Sequence, residues 1–374
     1  MPKLILSAVG TSLFTNMANN ENRDSIIRSS NLEENEVSEE VKQLADEFQR
    51  QAFDFFGNND FEKLKKLTAE LNSLLTFYKN RFDEHRRDVH ILIATDTYLG
   101  HRSATVLKEY LDRYFDSVIV YIPSKLSTKT KNNFDSGVRD LLKWCDENIN
   151  TYKENQYEIV FNLTGGFKSL QGYLNTIGMF YADEIIYIFE QGGELISIPK
   201  LPIQIEKELF KEQAGLFLQL SQTQEGVLKD KLNQIPDIMI EEYQKNQFLL
   251  SNWGELSWNN IKIEILSEEL IELPFIRYSD TFKIDFRNTN RPKDKLILQE
   301  SVAKISCLLQ ENNGDISCLK GGRGGGLLYD NYSGKNSNLG HFRINQGIRV
   351  SCEYKDGILE LRHYGAHDYV NNNP

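Results

Sequence analysis

Histidine and arginine side chains are concentrated at the carboxyl end of the chain, where three of the six histidines fall within residues 341–374. The cluster consists of His341, Arg343, Arg349, Arg362, His363, His367 and Tyr369. Histidine exchanges protons near neutral pH, whereas arginine stays charged and can bind two phosphate oxygens. RNA cleavage without a metal needs such groups: a base for the 2′-hydroxyl, a cation for the phosphate and an acid for the leaving 5′-oxygen. Taken singly, His363 could simply face solvent and Arg362 could pair with a neighbouring carboxylate.

A second candidate site lies in the first half of the chain, at the turn Thr164-Gly165-Gly166. The turn follows an apolar run and precedes a helix that starts near Lys168. Paired glycines let the backbone turn sharply, and the amide groups at the start of a helix attract anions. Lys168 adds a positive charge. We therefore predict a phosphate-binding turn, with a tight structural connection as the alternative.

Two more polar loops follow apolar runs of the same kind, Gly10-Thr11-Ser12 and Thr95-Asp96-Thr97. In this half of the chain, apolar runs alternate with helical patterns. Such alternation predicts a doubly wound parallel sheet, in which ligands bind at the carboxyl ends of the strands. The predicted strands are 3–9, 89–94, 117–122, 158–163, 184–189 and 194–198. The residues predicted to line the cleft are Gly10, Thr11, Ser12, Thr95, Asp96, Thr164, Gly165, Gly166 and Lys168.

The segments between these strands have weaker patterns. Residues 18–40 are rich in Asn and Glu, which predicts a surface insertion or a flexible lid. Apolar residues recur every three or four positions from 38 to 85, which indicates two amphipathic helices broken near Gly57-Asn58-Asn59. Further helices are predicted from about 101, 134 and 167.

The second half of the chain divides into a connector and a small terminal domain. Residues 204–250 are predicted to be mainly helical, and the pattern of 253–273 leaves its structure open. A strand over 275–286 and a helix from about Pro292 to Asn312 come next. The segment 320–326 contains Lys320, Arg323 and five glycines, so it is either a flexible loop or a basic finger on a phosphate backbone. Strands are predicted at 341–345, 348–354 and 358–364, with an Asp356-Gly357 hairpin turn.

Composition is that of a globular protein without a membrane span, because acidic residues interrupt the longest apolar stretch. The four cysteines are scattered without a metal-binding spacing, which predicts reduced thiols. Neither end carries a targeting signal, and we expect a cytoplasmic protein. The net charge of −11 is uneven, because residues 274–374 hold 14 Lys and Arg against 11 Asp and Glu. A basic terminal portion is compatible with an RNA partner.

The first 200 residues resemble the CARF domain, the CRISPR-associated Rossmann fold. The resemblance rests on Val9-Gly10-Thr11-Ser12-Leu13 after the first strand and on the stretch from Asn162 to Lys168. CARF domains bind cyclic oligoadenylate made by type III CRISPR complexes. They pair about a two-fold axis, so the resemblance implies a homodimer with one nucleotide ring shared between two copies.

The last hundred residues resemble the RelE family of toxins, which cut messenger RNA, often in the ribosomal decoding site, and leave a cyclic phosphate. Gly347-Ile348-Arg349-Val350 with Tyr354 is similar to one strand of that family, and the stretch Tyr364 to Tyr369 is similar to its ending. The resemblance implies that Arg349 holds the scissile phosphate, that His367 is an acid or base, and that Tyr369 stacks on or orients the RNA. His341, Arg343, Lys320 and Arg323 are added as further candidates.

These observations predict an α/β chain of three parts: a Rossmann-like CARF sensor (1–203), a helical connector (204–270) and an α+β RelE-like ribonuclease (271–374). The sensor would bind cyclic oligoadenylate, with cyclic tetra-adenylate the favoured form, and the last part would cleave RNA, including mRNA on the ribosome, without metal or cofactor. Two alternatives stay open. The chain could be a non-enzymatic regulator that binds RNA or protein, or the sensor could degrade its own activator through Thr11, Ser12 and Lys168.

Overall fold

The computed structural model describes residues 1–57, 60–189, 193–320, 327–332 and 338–374. They group into two units, Met1–Ile203 and Gln204–Pro374. The first unit is a mixed α/β fold built on a sheet of six strands in the order β3-β2-β1-β4-β5-β6. The strands are β1 (Lys3–Val9), β2 (Val89–Ala94), β3 (Ser117–Tyr121), β4 (Glu158–Asn162), β5 (Glu184–Ile188) and β6 (Leu195–Pro199).

The first five strands are parallel and β6 is antiparallel to β5. The parallel sheet and its helices therefore agree with the sequence prediction, and the antiparallel edge is an addition to it. The helices of this unit are α1 (Ser12–Met17), α2 (Arg23–Ser29), α3 (Glu39–Gly57), α4 (Phe61–Leu67), α5 (Ala69–Phe77), α6 (Tyr98–Leu111), α7 (Lys131–Glu154) and α8 (Lys168–Tyr181).

Helices cover both faces of this sheet. One core cluster joins α3 to α6 with inward side chains of the sheet such as Ile5 and Leu92. On the opposite face, Gly178 of α8 lies against Phe161 and Ile185. Strands buried on both faces have continuous apolar sequences, which is why the pattern of β1 and β2 identified them.

Two predictions for this unit were wrong in detail. Residues 18–40 are not a structureless insertion, because they contain α2 and a 3₁₀ turn at Glu34–Glu36, and Ile26 and Val37 are buried in the core. Residues 38–85 form three helices, because Thr68 caps α5 through its hydroxyl and separates it from α4. The predicted break at Gly57-Asn58-Asn59 falls partly outside the described residues.

A buried histidine makes this unit sensitive to acid. His90 on β2 is fully buried, its Nδ1 has no hydrogen-bond partner in the described structure, and its ring lies 4.1 Å from that of Phe115, centroid to centroid. Burial lowers the pKa of His90 to about 3, so the folded state holds the ring neutral where the unfolded chain takes up a proton.

We expect the free energy of unfolding to fall by roughly 4 kcal/mol on this account as the pH drops from 7 towards 3, because His90 is protonated first in the unfolded state. The loss begins near the unfolded pKa and continues to the folded one. His90→Phe keeps a ring that cannot titrate and should reduce the slope of stability against pH. The control His85→Gln, at a half-exposed histidine, should keep the slope. Urea unfolding at several pH values measures this, and an unchanged slope in His90→Phe would contradict it.

The second unit combines a five-stranded sheet of order β10-β14-β13-β12-β11 with a small antiparallel sheet of order β7-β9-β8. The helices are α9 (Lys207–Glu212), α10 (Ala214–Gln222), α11 (Asn252–Glu268), α12 (Asp280–Asn288), α13 (Pro292–Glu311) and α14 (His367–Asn372). The strands are β7 (Val227–Leu228), β8 (Ile240–Gln244), β9 (Gln247–Leu250), β10 (Ile276–Tyr278), β11 (Asp330–Asn331), β12 (Leu339–Arg343), β13 (Ile348–Lys355) and β14 (Ile358–Ala366).

One hydrophobic core runs through this unit. It includes Phe217 and Trp258 from the predicted connector as well as Val302 and Phe342 from the predicted terminal domain. In the structure, residues 204–270 therefore belong to the same body as residues 271–374.

Two secondary-structure predictions for this unit were wrong. Residues 204–250 contain α-helix only up to Gln222. The remainder forms the small sheet and the 3₁₀ turns Lys229–Leu232 and Asp237–Met239, with Asn246 at positive φ in the β8–β9 turn. Residues 275–286 form β10 and the start of α12 rather than one strand, because Ser279 accepts the Phe282 amide and caps the helix. The helix at Pro292 and the Asp356-Gly357 hairpin, with both turn residues at positive φ, are confirmed.

Two features bear on broader predictions. Over the described ranges, none of the helices combines the length and the apolar character that crossing a bilayer requires. All four cysteines are buried and unpaired by disulfide, as expected of reduced thiols.

Candidate functional site

The polar residues near the carboxyl end share one face of the larger sheet. In the antiparallel pairing of β12 and β13, His341 is opposite Ser351 and Arg343 is opposite Arg349. Across β13 and β14, Ser351 is opposite His363 and Arg349 is opposite Gly365. Because residues directly opposite each other point to the same side, these six residues form one surface, which we call the polar face. Phe342, Val350 and Tyr364 point to the other side and into the core.

A β-bulge places His363 on the polar face. In β14, Leu361 is buried, so regular alternation would direct residue 363 into the core as well. The register shifts at this point: Cys352 pairs with Leu361, and Ser351 pairs with His363. The extra residue, Arg362, is bound through Nη1 to Glu353 Oε2 at 3.4 Å. The bulge thus returns Tyr364 to the core and turns His363 outward.

Two buried polar atoms on this face lack partners in the described structure. Ser351 is fully buried and its Oγ accepts and donates no hydrogen bond, and the same holds for Nδ1 of His341. Burial lowers the pKa of His341, and the charges of Arg349 and Arg343 lower it further. The ring is therefore neutral at neutral pH, next to two arginines and an unsatisfied hydroxyl. Unsatisfied buried groups of this kind are uncommon in folded proteins.

Helix α14 packs across the polar face. Val370 of this helix is fully buried, and Asn371 Oδ1 accepts from Arg349 Nη1 at 3.2 Å. The His367 amide donates to the Gly347 carbonyl at 3.0 Å, while its half-exposed ring contacts Asp368 Oδ1 at 2.8 Å. The charge of His367 also acts on the pKa of His341. The structure therefore brings His341, Arg343, Arg349 and His367 together.

Tyr369 lies on the same side, over Gly365. A Cβ at Gly365 would be 3.0 Å from the Tyr369 ring, so glycine makes the close approach possible. The Tyr369 hydroxyl donates to Asp285 Oδ1 at 3.0 Å and lies 3.2 Å from His363 Nδ1. Asp285 Oδ2 in turn lies 3.1 Å from His363 Nδ1 and accepts the Tyr364 amide at 3.0 Å. Burial and Asp285 raise the pKa of Tyr369, which keeps the phenol protonated as a donor.

The two remaining candidates in this unit are not part of this arrangement. Lys320 is exposed at the end of the 3₁₀ turn Ile316–Leu319, and its charge acts on the pKa of Asp315. Across the described part of the chain, no contact joins Lys320 to the polar face. Arg323 lies outside the described residues.

In the first unit, the loops after β1 and β4 touch each other. A Cβ at Gly10 would be 2.9 Å from the Gly166 amide nitrogen. A buried carboxylate, Glu70 on α5, binds the loop after β1: the Gly10 amide donates to its Oε1 at 2.8 Å, and the Ser12 hydroxyl donates to its Oε2 at 3.1 Å. It also lies against Gly165 of the loop after β4. Burial raises the pKa of Glu70. In this arrangement the Gly10 and Ser12 groups predicted to bind a ligand are bound to Glu70 instead.

The side chains of Thr95, Thr164 and Asp96, which were also predicted to bind the ligand, make hydrogen bonds within the protein. Thr95 is buried against the Thr97 hydroxyl, and Thr164 Oγ1 accepts the Ile188 amide at 3.2 Å, so both are used within the fold. Asp96 contacts His101 Nε2 at 3.1 Å and accepts the Lys125 amide at 2.9 Å.

Three predicted residues are better placed to meet a ligand. Thr11 is half-buried where α1 begins, Gly166 has a φ of +87°, and Lys168 is exposed at the first position of α8. Phe167, which precedes that helix, makes no side-chain cap. The start of α8 therefore presents its amide groups and a lysine together, as the sequence predicted.

Sequence reasoning missed four residues that organise these sites: Glu70, Asp285, Ser351 and Asn371. Glu70 falls in a helical pattern where its charge is typical of a solvated face. Asp285 falls in a segment interpreted as a strand, although Ser279 followed by Asp280 is the usual start of a helix. Ser351 was detectable, because it is two residues from Arg349 in a predicted strand.

Among the residues that the structure describes, no group of three or more His, Cys, Asp or Glu side chains is placed to hold an ion.

Fold and site together define a mixed α/β protein with a parallel-sheet unit and a second unit that carries a histidine–arginine face. Residues 65–201, within the first unit, match the family model described as "CRISPR-associated protein (Cas_APE2256)". The match supports a CRISPR-associated protein.

The second comparison is with solved structures. One is the crystal structure of YafQ from E. coli strain BL21(DE3), with 13% sequence identity, a TM-score of 0.20, and coverage of 25% of this chain and 94% of that chain. A mutant of YafQ from E. coli gives 12% identity, a TM-score of 0.18 and the same two coverages. Likenesses this small do not define the fold or the activity of this chain.

Proposed function

We propose that the second unit cleaves RNA by attack of the 2′-hydroxyl on the adjacent phosphate, without a metal. The observation that carries the proposal is the polar face, where His341, Arg343 and Arg349 lie in register beside the unpartnered hydroxyl of Ser351. A phosphate bound at this face would give the arginines an anion. A buried hydroxyl without a partner is uncommon in a surface used only for stability.

Each residue of the site has a separate role in the proposed reaction. Arg349 and Arg343 hold the phosphate and stabilise the charge that builds on its oxygens in the transition state. His367, half exposed above them, transfers a proton. Asn371 orients Arg349, since its Oδ1 accepts from the guanidinium. The products would be a 2′,3′-cyclic phosphate and a 5′-hydroxyl.

The proposal extends to regulation by the first unit, as the CARF resemblance implies. A cyclic oligoadenylate, cyclic tetra-adenylate being the favoured form, would bind where Thr11, Gly166 and Lys168 meet the start of α8, with two copies of the chain sharing one ring. The match of residues 65–201 to a CRISPR-associated family is compatible with this role. The ligand can activate the chain only if it binds the active arrangement more tightly than the inactive one. RNA, including mRNA on the ribosome, would be the substrate, and the cytoplasm the place of action.

Two single substitutions should distinguish the proposed functions of the two units. His367→Ala should reduce RNA cleavage at least 100-fold and leave binding of cyclic tetra-adenylate unchanged, because the histidine transfers a proton. Lys168→Ala should weaken binding of cyclic tetra-adenylate at least tenfold, because it removes the exposed cation of the proposed anion site. Cleavage of a labelled RNA in EDTA, with and without cyclic tetra-adenylate, and calorimetric binding measure the two effects.

Several outcomes would contradict the proposal. Cutting that needs added metal would exclude the mechanism, and cutting that ignores cyclic tetra-adenylate would exclude the regulation. Lys200→Ala, at a lysine outside the proposed site, is the control for Lys168→Ala and should bind as the wild type does. RNA left intact by activated protein, with and without translating ribosomes, would favour the non-enzymatic regulator. No observation at Thr11, Ser12 or Lys168 favours degradation of the activator.

A further inference from the structure

We propose that His363 is the general base of the reaction and that Asp285 and Tyr369 position its ring. This inference rests on the proposed RNA cleavage, gives His363 a role and adds Asp285 to the predicted residues. It follows from the geometry around Nδ1 of His363. That nitrogen lies 3.1 Å from Asp285 Oδ2 and 3.2 Å from the Tyr369 hydroxyl.

The contacts decide which ring nitrogen is available. A carboxylate only accepts hydrogen bonds, so Nδ1 carries the proton and donates it to Asp285. The Tyr369 hydroxyl donates to the other carboxylate oxygen, Oδ1, at 3.0 Å. Nε2 is left with a lone pair, and within the described residues it has no hydrogen-bond partner. Since the bulge turns His363 to the polar face, that lone pair belongs to the surface that holds Arg349.

The surroundings also distinguish His363 from His341. A general base becomes positively charged when it takes the proton of the 2′-hydroxyl. Beside His363 stands the carboxylate of Asp285, which stabilises that charge, whereas Arg349 and Arg343 oppose it at His341. His341 is therefore suited to remain neutral, and His363 is suited to accept.

The step balances with two histidines. Nε2 of His363 takes the proton from the 2′-oxygen, which then bonds to phosphorus. The bond from phosphorus to the 5′-oxygen breaks, and that oxygen receives a proton from His367. His363 ends protonated and His367 ends neutral. His363 then releases a proton to solvent and His367 takes one up, which restores both with no net change in protons. Asp285 and Tyr369 gain or lose no proton in this sequence.

Asp285 reaches His363 from another element. It lies in α12, and the same carboxylate accepts the Tyr364 amide at 3.0 Å. Its side chain is 13% exposed, and that of His363 is 18% exposed. The carboxylate is therefore fixed by both the strand and the helix, as a positioning group needs to be.

The test uses the full-length protein, cyclic tetra-adenylate and a labelled RNA. His363→Ala should cleave at least 100-fold more slowly than the wild type. Added imidazole should raise the cleavage rate of this variant at least tenfold, because it replaces the missing base. His363→Gln, which retains a donor towards Asp285, is the second variant and should keep the wild-type melting temperature while remaining slow. Binding of an RNA with a 2′-deoxy group at the cleavage site should be unchanged in both.

Asp285 is tested through its dependence on His363. Asp285→Asn should slow cleavage about tenfold in the wild-type background and add no further loss to His363→Ala, since it acts through that ring. Asp280→Asn, on the same helix and exposed, is the matched control and should cleave as the wild type does.

The outcomes separate this inference from the proposal on which it rests. If the activated wild-type protein leaves RNA intact, RNA cleavage and this inference both fail. If the wild type cleaves and His363→Ala cleaves at the same rate, or if the losses of Asp285→Asn and His363→Ala add in full, only the inference fails.

Discussion

Replacing Arg349 with alanine is expected to slow RNA cleavage about 1,000-fold while leaving the fold intact. The guanidinium is on the polar face, opposite Arg343 and Gly365, and Nη1 is held by Asn371. Removing a preorganised group that binds the developing charge of a transition state costs about 100- to 1,000-fold in rate. Arg349→Lys should recover only part of the loss, because an ammonium group cannot bind two phosphate oxygens in the geometry of a guanidinium.

The control is an arginine of the same sheet that is not among the six residues of the polar face. Arg277 is exposed on β10, where it pairs in register with Glu360, and Arg277→Ala should cleave at the wild-type rate. Single-turnover cleavage in EDTA measures the chemical step, and thermal unfolding verifies the fold. If Arg349→Ala cleaved as fast as Arg277→Ala, Arg349 would not hold the scissile phosphate.

Local periodicity was sufficient to predict the strands of both candidate sites. β1, β2 and β4 were identifiable because strands buried on both faces are continuously apolar, and β13 because apolar Val350 and Cys352 alternate with polar Arg349 and Ser351. The convergence of polar loops at one sheet edge follows from parallel strands, without knowledge of the packing.

The partners of those residues could not be predicted in the same way. Glu70 is separated from Gly10 by 60 positions, and Asp285 is separated from His363 by 78. Such contacts depend on how helices pack against sheets, which periodicity does not record. The bulge at Arg362 likewise depends on the register between strands. In the sequence it is indicated by apolar Leu361 and Tyr364, which are three residues apart and would not point to the same side of a regular strand.

Ligand binding by the first unit should depend on the buried contact of Glu70 with the two loops. The carboxylate holds the Gly10 amide and the Ser12 hydroxyl, and it lies against Gly165. The two loops of the proposed sensor are thus joined through one side chain. A change that separates them should disturb ligand binding even where no predicted ligand residue is altered.

Gly165→Ala is therefore expected to abolish the response to cyclic tetra-adenylate and to destabilise the first unit by about 1–3 kcal/mol. A Cβ at this position would overlap Glu70 Oε1 and lie 2.5 Å from its Cδ and 2.6 Å from the Ala8 carbonyl oxygen. Neither neighbour can move cheaply, because the carboxylate is buried and hydrogen-bonded and the carbonyl belongs to β1. Thermal unfolding and calorimetric titration with cyclic tetra-adenylate measure the two effects.

Gly172→Ala is the matched control, a glycine on the adjoining helix α8 where a Cβ would meet nothing within 4 Å. Alanine is more favourable than glycine in the interior of a helix, so the free energy of unfolding of this variant should rise by about 0.5–1 kcal/mol. It should bind cyclic tetra-adenylate as the wild type does. Wild-type binding by Gly165→Ala would show that the contact between Glu70 and Gly165 does not matter to the ligand. Loss of binding in Gly165→Ala alone, with the first unit still folded at the temperature of the titration, would show that ligand binding depends on the contact between Glu70 and Gly165.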